Sequence, residues 1–192
     1  SSPRNNMAAA LAGYRTENID RVTVREAAFH TYTNRFYALE ATTMRGWSWP
    51  FDELHHRKAI LVNVGVRGDE AAAEIAEIKR ISDEISPVDG TQVIAFPSDE
   101  FGDPVDDDEI KAFLFGKCGL HENDASFKIM AKTRVDGPDA HPVFKFAKSI
   151  AHIEDVGRDF GAYFYFNRNS HLQGVAASAK DMLAVLRAEL PT

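Results

Sequence analysis

The chain is 192 residues long, with 44% hydrophobic and 27% charged residues. A domain of this size hides roughly 70% of the surface of its unfolded chain, so it needs no disulfide or metal staple to fold. That composition excludes a disordered tail, a disulfide miniprotein and a collagen-like fibre. The 22 Lys and Arg against 29 Asp and Glu leave a formal charge of −7, without the electrostatic footprint of a nucleic-acid binder.

The opening segment, residues 1–15, holds Arg4 and Arg15 and no acid, like the tail of an organelle-targeting peptide. Asp20–Tyr32 predicts a short helix with Val22, Val24, Ala28, Phe29 and Tyr32 as its apolar residues. Residues 1–35 read as an N-terminal extension, a docking arm, and residues 36–192 as the domain proper.

Phe36–Ala41 predicts a strand, Arg45-Gly46 a turn, and Trp49, Phe51 and Leu54 residues packed near the surface of a core. Trp47 and Trp49 flank that turn and suit a core or interface role. Ala59–Val66 is the longest apolar run, broken by Asn63. It is far short of the ~20 residues that cross a bilayer, and it suits a strand buried on both faces. Asp69 is placed as N-cap of a helix to about Glu84, with Ile75, Ile78, Ile81 and Ile85 on one face. Pro87 and Asp89-Gly90 close it.

Gln92–Phe96 predicts a second buried strand ended by Pro97. A helix starts at Asp106–Glu109, where acids favour a helix N-terminus, and stops near Gly116 or Gly119. Phe127–Val135 reads as extended, Asp136–Asp139 as a turn, Pro142–Ile150 as a helix, and Ala162–Phe166 with Leu172–Val175 as a hairpin. Ser178 caps a last helix to Leu190. Strands alternating with helices predict an α/β domain with a central mixed sheet flanked by helices.

Three blocks, in order and spacing, resemble the glutathione peroxidase family. The first is Ile60-Leu61-Val62-Asn63-Val64, similar to the strand leading into that family's peroxidatic loop. The second is Ile94-Ala95-Phe96-Pro97-Ser98-Asp99-Glu100-Phe101-Gly102 with Glu109–Phe113 after it. It resembles the family's Ala-Phe-Pro-Cys-Asn-Gln-Phe-Gly block and the next helix. The third and longest is Val135-Asp136-Gly137-Pro138-Asp139-Ala140-His141-Pro142-Val143-Phe144-Lys145-Phe146. The resemblance spans roughly Phe36 to Leu190 and implies a thioredoxin-like fold.

The resemblance also implies a site: a Cys or selenocysteine attacking peroxide as thiolate or selenolate, with a Gln, a Trp and an Asn as donors. In this chain the attacking position is Gly68, or is deleted by one residue. The Gln position is Glu100, whose carboxylate has no N–H to donate. The Trp-Asn pair falls on Arg158-Asp159-Phe160-Gly161, so Asp159 and Phe160 replace it. Cys118 is the only cysteine. It lies three residues past Phe115, where some thiol-type members carry a resolving cysteine.

Other chemistries lack their patterns. His55-His56, His121, His141, His152 and His171 show no metal-ligand spacing, and His141 belongs to the family's Ala-His-Pro turn. The acids of Asp103–Glu109 lack the alternation of a calcium loop. Ser98 has no histidine within sequence reach, and Arg67-Gly68-Asp69, an adhesion tripeptide, lies in the altered loop. The sequence therefore predicts no enzyme, cofactor or metal. It predicts a peroxidase-like accessory subunit that binds protein partners and is peripheral to a membrane at most. The setting expected is mitochondrial, a respiratory-chain complex before a mitochondrial ribosome or an ATP synthase. The alternative is a thiol peroxidase or redox protein using Cys118.

Overall fold

The computed structural model describes residues 35–157 and 162–187. The expected arm, the helix over Asp20–Tyr32, Asp159 and Phe160, and the end of the last helix at Leu190 lie outside these residues.

The first described residues form a helical turn at 35–37, where a strand from Phe36 is expected. Phe36 is driven into the core instead, against Phe51, Phe146 and Phe166. Only Glu40–Thr42 (β1) is extended, and it pairs antiparallel with Ser48–Pro50 (β2). Gly46, at φ 83°, makes the turn between them. A 3₁₀ turn at Phe51–Leu54 follows. Phe51 and Leu54 are fully buried, not near the surface.

Ala59–Gly65 (β3) is buried at every residue, as expected. Gly68–Asp89 (α1) crosses over to Gln92–Ser98 (β4), which pairs parallel with β3. The N-cap of α1 is Arg67, which supplies no side-chain cap; Asp69 sits inside the first turn. Pro87 does not end α1. It lies in the final turn, and termination falls to Gly90, left-handed at φ 74°, whose N–H reaches Ser86 O. Nor does Pro97 end β4: it stays in register opposite Val64 near the end of the strand, and its carbonyl accepts from Thr133 N–H.

Asp107–Lys111 (α2) is capped by Asp106, whose carboxylate accepts from Glu109 N–H at 2.8 Å. It runs into a π-helical segment, Ala112–Lys117. Phe127–Ile129 (β5) adds parallel to β4. Pro142–Ala151 (α3) follows the predicted turn, with Gly137 at φ 73°. Tyr163–Phe166 (β6) pairs antiparallel with β3 and with Leu172–Ala176 (β7). Ala179–Arg187 (α4) is the last described element. Ser178 stands before it, its Oγ accepting from Asp181 N–H at 3.1 Å.

The five-stranded sheet runs β5-β4-β3-β6-β7. Strand alternation sorts its side chains into two cores. Ile60, Val62, Val64, Val93, Ala95, Tyr163 and Tyr165 face α1 and α4, where Ile75, Ile78, Ile81 and Met182 meet them. Leu61, Ile94, Phe96, Phe164 and Phe166 face α3, with Val143, Phe144 and Ala147. Each fully buried Phe, Ile or Leu contributes about 1.5–3 kcal/mol. No helix of the described residues is long and apolar enough to cross a membrane.

Candidate functional site

The parallel strands β3 and β4 deliver the chemistry-bearing loops to one end of the sheet. After β3, the chain turns through Val66, Arg67 and Gly68 into α1. Gly68 takes φ +86°, and a Cβ built on it would meet nothing within 4 Å. The glycine is required there by the backbone and not by crowding. Arg67 donates to Asp103 Oδ2 at 3.5 Å and to Pro104 O at 3.2 Å, so the turn is tied to the segment after β4.

Glu100 follows β4 and lies at the sheet end, but its carboxylate points to the chain before α3. Oε2 accepts from Val135 N–H at 2.8 Å and Asp136 N–H at 3.1 Å, and Oε1 faces Arg134 at 3.3 Å. An acceptor with no donor suits two backbone N–H groups, where a glutamine could also have turned its amide outward. Asp99 organises the same region: its Oδ2 accepts from Val105 N–H at 2.8 Å and from Lys132 at 3.2 Å.

Cys118 ends the π-helical segment. Its neighbour Lys117 spans to the first turn of α1, with Nζ 2.6 Å from Asp69 Oδ1. The ammonium holds the Asp69 carboxyl below the usual carboxylate range. Sequence spacing alone separates Cys118 from Asp69 by 49 positions; the ion pair brings its segment to the loop that carries Gly68. Cys118 is half-buried and packs against the α1-side core. Burial pushes its thiol up, and the Lys117 charge pulls the other way.

His141 sets its ring 5.9 Å from that of Phe96 in β4, and its backbone N–H donates to Arg134 O at 2.8 Å. Its Nδ1 accepts from Val143 N–H at 3.3 Å, which caps α3. Nearby, Asp136 is buried against Lys148 at 2.8 Å and accepts from Val156 and Gly157 N–H, both at 2.8 Å. The Val135–Phe146 block is thus knit together by a carboxylate, an amine and a cap. Sequence reasoning did not single out Lys148, because its partner lies 12 residues away across a turn.

This arrangement defines a thioredoxin-like α/β domain with the loops after β3 and β4 at one end of the sheet. The architecture is shared with solved structures: that of Trgpx in its apo form (TM-score 0.61, 18% identity, 80% of this chain and 91% of that one) and of T. cruzi GPX1 (TM-score 0.53, 21% identity, 79% and 94%). The family model for glutathione peroxidase matches residues 36–148, more than half of the chain. The chain belongs to the glutathione peroxidase family.

Curated relatives include "Glutathione peroxidase 1, mitochondrial" of Chlamydomonas reinhardtii, 31% identical over 134 residues. The match covers 68% of this chain and 65% of that protein. Another is the "Glutathione peroxidase-like peroxiredoxin HYR1" of Saccharomyces cerevisiae, 35% identical over 122 residues, covering 60% of this chain and 68% of the relative. The chain thus spans about two thirds of the length of these relatives. These names correct the expectation of a non-enzyme: the relatives that share this sequence are named as peroxidases and peroxiredoxins. The loss of four motif residues is read from sequence, and does not by itself remove a chain from an enzymatic family.

Proposed function

We propose that the chain is a thiol-dependent redox protein of the glutathione peroxidase family in which Cys118 supplies the sulfur. The observation that carries this reading is the 2.6 Å ion pair between Lys117 and Asp69, which holds the Cys118 segment at the first turn of α1. The resemblance places the family's attacking residue at that turn. Cys118 is also the only sulfur nucleophile in the sequence.

The chemistry follows from the thiol. The thiolate attacks one oxygen of a hydroperoxide, the O–O bond breaks, and the alkoxide leaves as alcohol after taking a proton. Sulfur is oxidised by two electrons to a sulfenic acid. With a single cysteine in the sequence, return to the thiol needs a thiol from another molecule. It condenses with the sulfenic acid to a mixed disulfide and water, and a second equivalent releases Cys118. Burial keeps the thiolate fraction small at neutral pH, so oxidation is slow there and rises with pH.

Trapping the sulfenic acid with dimedone during exposure of the full chain to hydrogen peroxide tests this. The expected adduct lies on Cys118 and is missing in Cys118→Ser. Peroxide consumption at the same rate in Cys118→Ser overturns the reading.

A second reading rests on a different observation. Trp47 is 66% exposed at the tip of the β1–β2 hairpin, with the Arg45 guanidinium 5.6 Å from its ring centre. Exposed Trp and Arg are the residues that anchor protein interfaces. They support a role as accessory subunit of a larger assembly, held to protein partners through this hairpin. A mitochondrial setting is supported by the name of the Chlamydomonas relative, whereas two Arabidopsis thaliana relatives are named chloroplastic. Gentle solubilisation and native electrophoresis test it: co-migration with a large particle supports the subunit role, and a free ~21 kDa species contradicts it.

A further inference from the structure

The turn that ends the π-helical segment holds Lys117 and Cys118 side by side. The Cys118 N–H donates to Phe113 O at 2.9 Å and the Leu120 N–H to Leu114 O at 3.1 Å, with Gly119 left-handed at φ 66° between them. These bonds fix the backbone, so the Lys117 side chain is the part that can choose a partner. Its Nζ lies 5.8 Å from the centre of the Phe113 ring and 2.6 Å from Asp69 Oδ1. Glu122, the next acid along the chain, is taken by Arg45 at 2.5 Å.

Lys117 thus stands between two groups that can carry negative charge. One is the Asp69 carboxylate, in the first turn of α1. The other is the Cys118 thiolate, next in the chain, which the ammonium favours against the opposing effect of burial. The four-carbon stem of lysine lets one ammonium lean toward either group. With a carboxylate oxygen at 2.6 Å, the ammonium is half of a neutral pair, and the two opposite charges largely cancel at the sulfur.

We propose that Asp69 is a positioning residue that restrains Cys118 by engaging the Lys117 ammonium. The inference rests on Cys118 being the reacting thiol. Asp69 acts through Lys117 and not on the sulfur itself. The Lys117 side chain is 47% exposed and that of Asp69 98% exposed, so the effect is the size of a surface ion pair, a few fold in rate and weakened by salt.

Alkylation of Cys118 by iodoacetamide tests it, followed by mass spectrometry on the full-length protein at low salt from about pH 6 to about pH 10. The reagent is uncharged, so the rate reads the thiolate and not electrostatic steering. Asp69→Asn is expected to react about twofold to fivefold faster than wild type near pH 7, its profile displaced to lower pH. Lys117→Gln is expected to react more slowly by a similar factor, its profile displaced to higher pH. In the Lys117→Gln background, Asp69→Asn is expected to add nothing. A merely structural pair behaves otherwise: breaking it from either side loosens the segment and speeds alkylation in both variants. That outcome overturns the proposal. So does an unchanged or slower rate in Asp69→Asn, or an equal acceleration by Asp69→Asn in the Lys117→Gln background. Both side chains are exposed, so the variants keep the fold. No peroxide is used, so this test can fail while Cys118 still reduces peroxide, and succeed where it does not.

Discussion

At the scale of single residues, three side chains carry most of the account. Cys118 is half-buried, and burial raises its thiol above the ordinary range. Its alkylation by iodoacetamide is therefore expected to accelerate about tenfold per pH unit through pH ~8.5 and to level off only above that value. Stopped-flow or quenched mass spectrometry reads the profile, and a plateau below pH 8 contradicts the burial argument. Asp136 pairs with buried Lys148 and takes two backbone N–H groups. Burial works against its charge, but Lys148 and the N–H groups more than offset that, so its carboxyl lies below the usual value. Its stabilisation is complete above the unfolded pKa near 3.9 and is lost as pH falls through the lower folded value. Asp136→Ala leaves the Lys148 ammonium buried without its partner and is expected to cost about 3–5 kcal/mol in urea unfolding. Glu100 shows why one motif position was hard to read. Its type was legible, but its use as acceptor for Val135 and Asp136 N–H comes from a contact 35 and 36 positions away.

At the scale of elements, the long apolar run of β3 and the isoleucine spacing of α1 were readable, because burial on both faces and a 3.6-residue period leave clear patterns. Of the β1–β2 hairpin, the strand expected over Phe36–Ala41 overlaps β1 only at Glu40 and Ala41, the Arg45-Gly46 turn was read, and β2 was not. Its strands have three residues each and lie partly in solvent, too short for an alternation to show. The π-helical segment had no sequence signal, since Phe113, Leu114 and Phe115 suit an α-helix equally well. Pro87 and Pro97 misled the reading for one reason: proline breaks an element in its interior, and both sit near an element's end. Gly68, at φ +86° in open space, isolates the backbone cost of the turn into α1. Gly68→Ala is expected to lose about 1–2 kcal/mol by denaturant unfolding. At α3, His141 caps with a neutral ring whose pKa burial lowers. A lowered folded value means the cap's stabilisation is full above about pH 6.5 and falls away as pH drops through the folded pKa. Thermal unfolding of wild type against His141→Ala is expected to differ above pH 7 and to converge toward pH 5.

At the scale of the molecule, the alternation of strands and helices gave the layered mixed sheet, and the Val135–Phe146 block gave the family. What the pattern did not give was the character of the function. Four altered motif positions suggested a chain without catalysis, while the relatives that share the sequence are named as peroxidases. Lys117, beside Cys118, reaches the first turn of α1 through a tertiary ion pair with Asp69, and no spacing rule in the sequence foretells it. The exposed Trp47 and Arg45 at the hairpin tip belong to this scale too. Trp47→Ala is expected to leave the unfolding midpoint within about 0.5 kcal/mol of wild type and to shift the native protein out of any large particle it joins. The most direct test of the account is the rate at which the full chain, supplied with a small thiol reductant, consumes hydrogen peroxide, compared with Cys118→Ser. The account predicts turnover that increases with pH and disappears in the variant. Equal turnover in the two proteins, or none in wild type at any pH up to about 9, would contradict it.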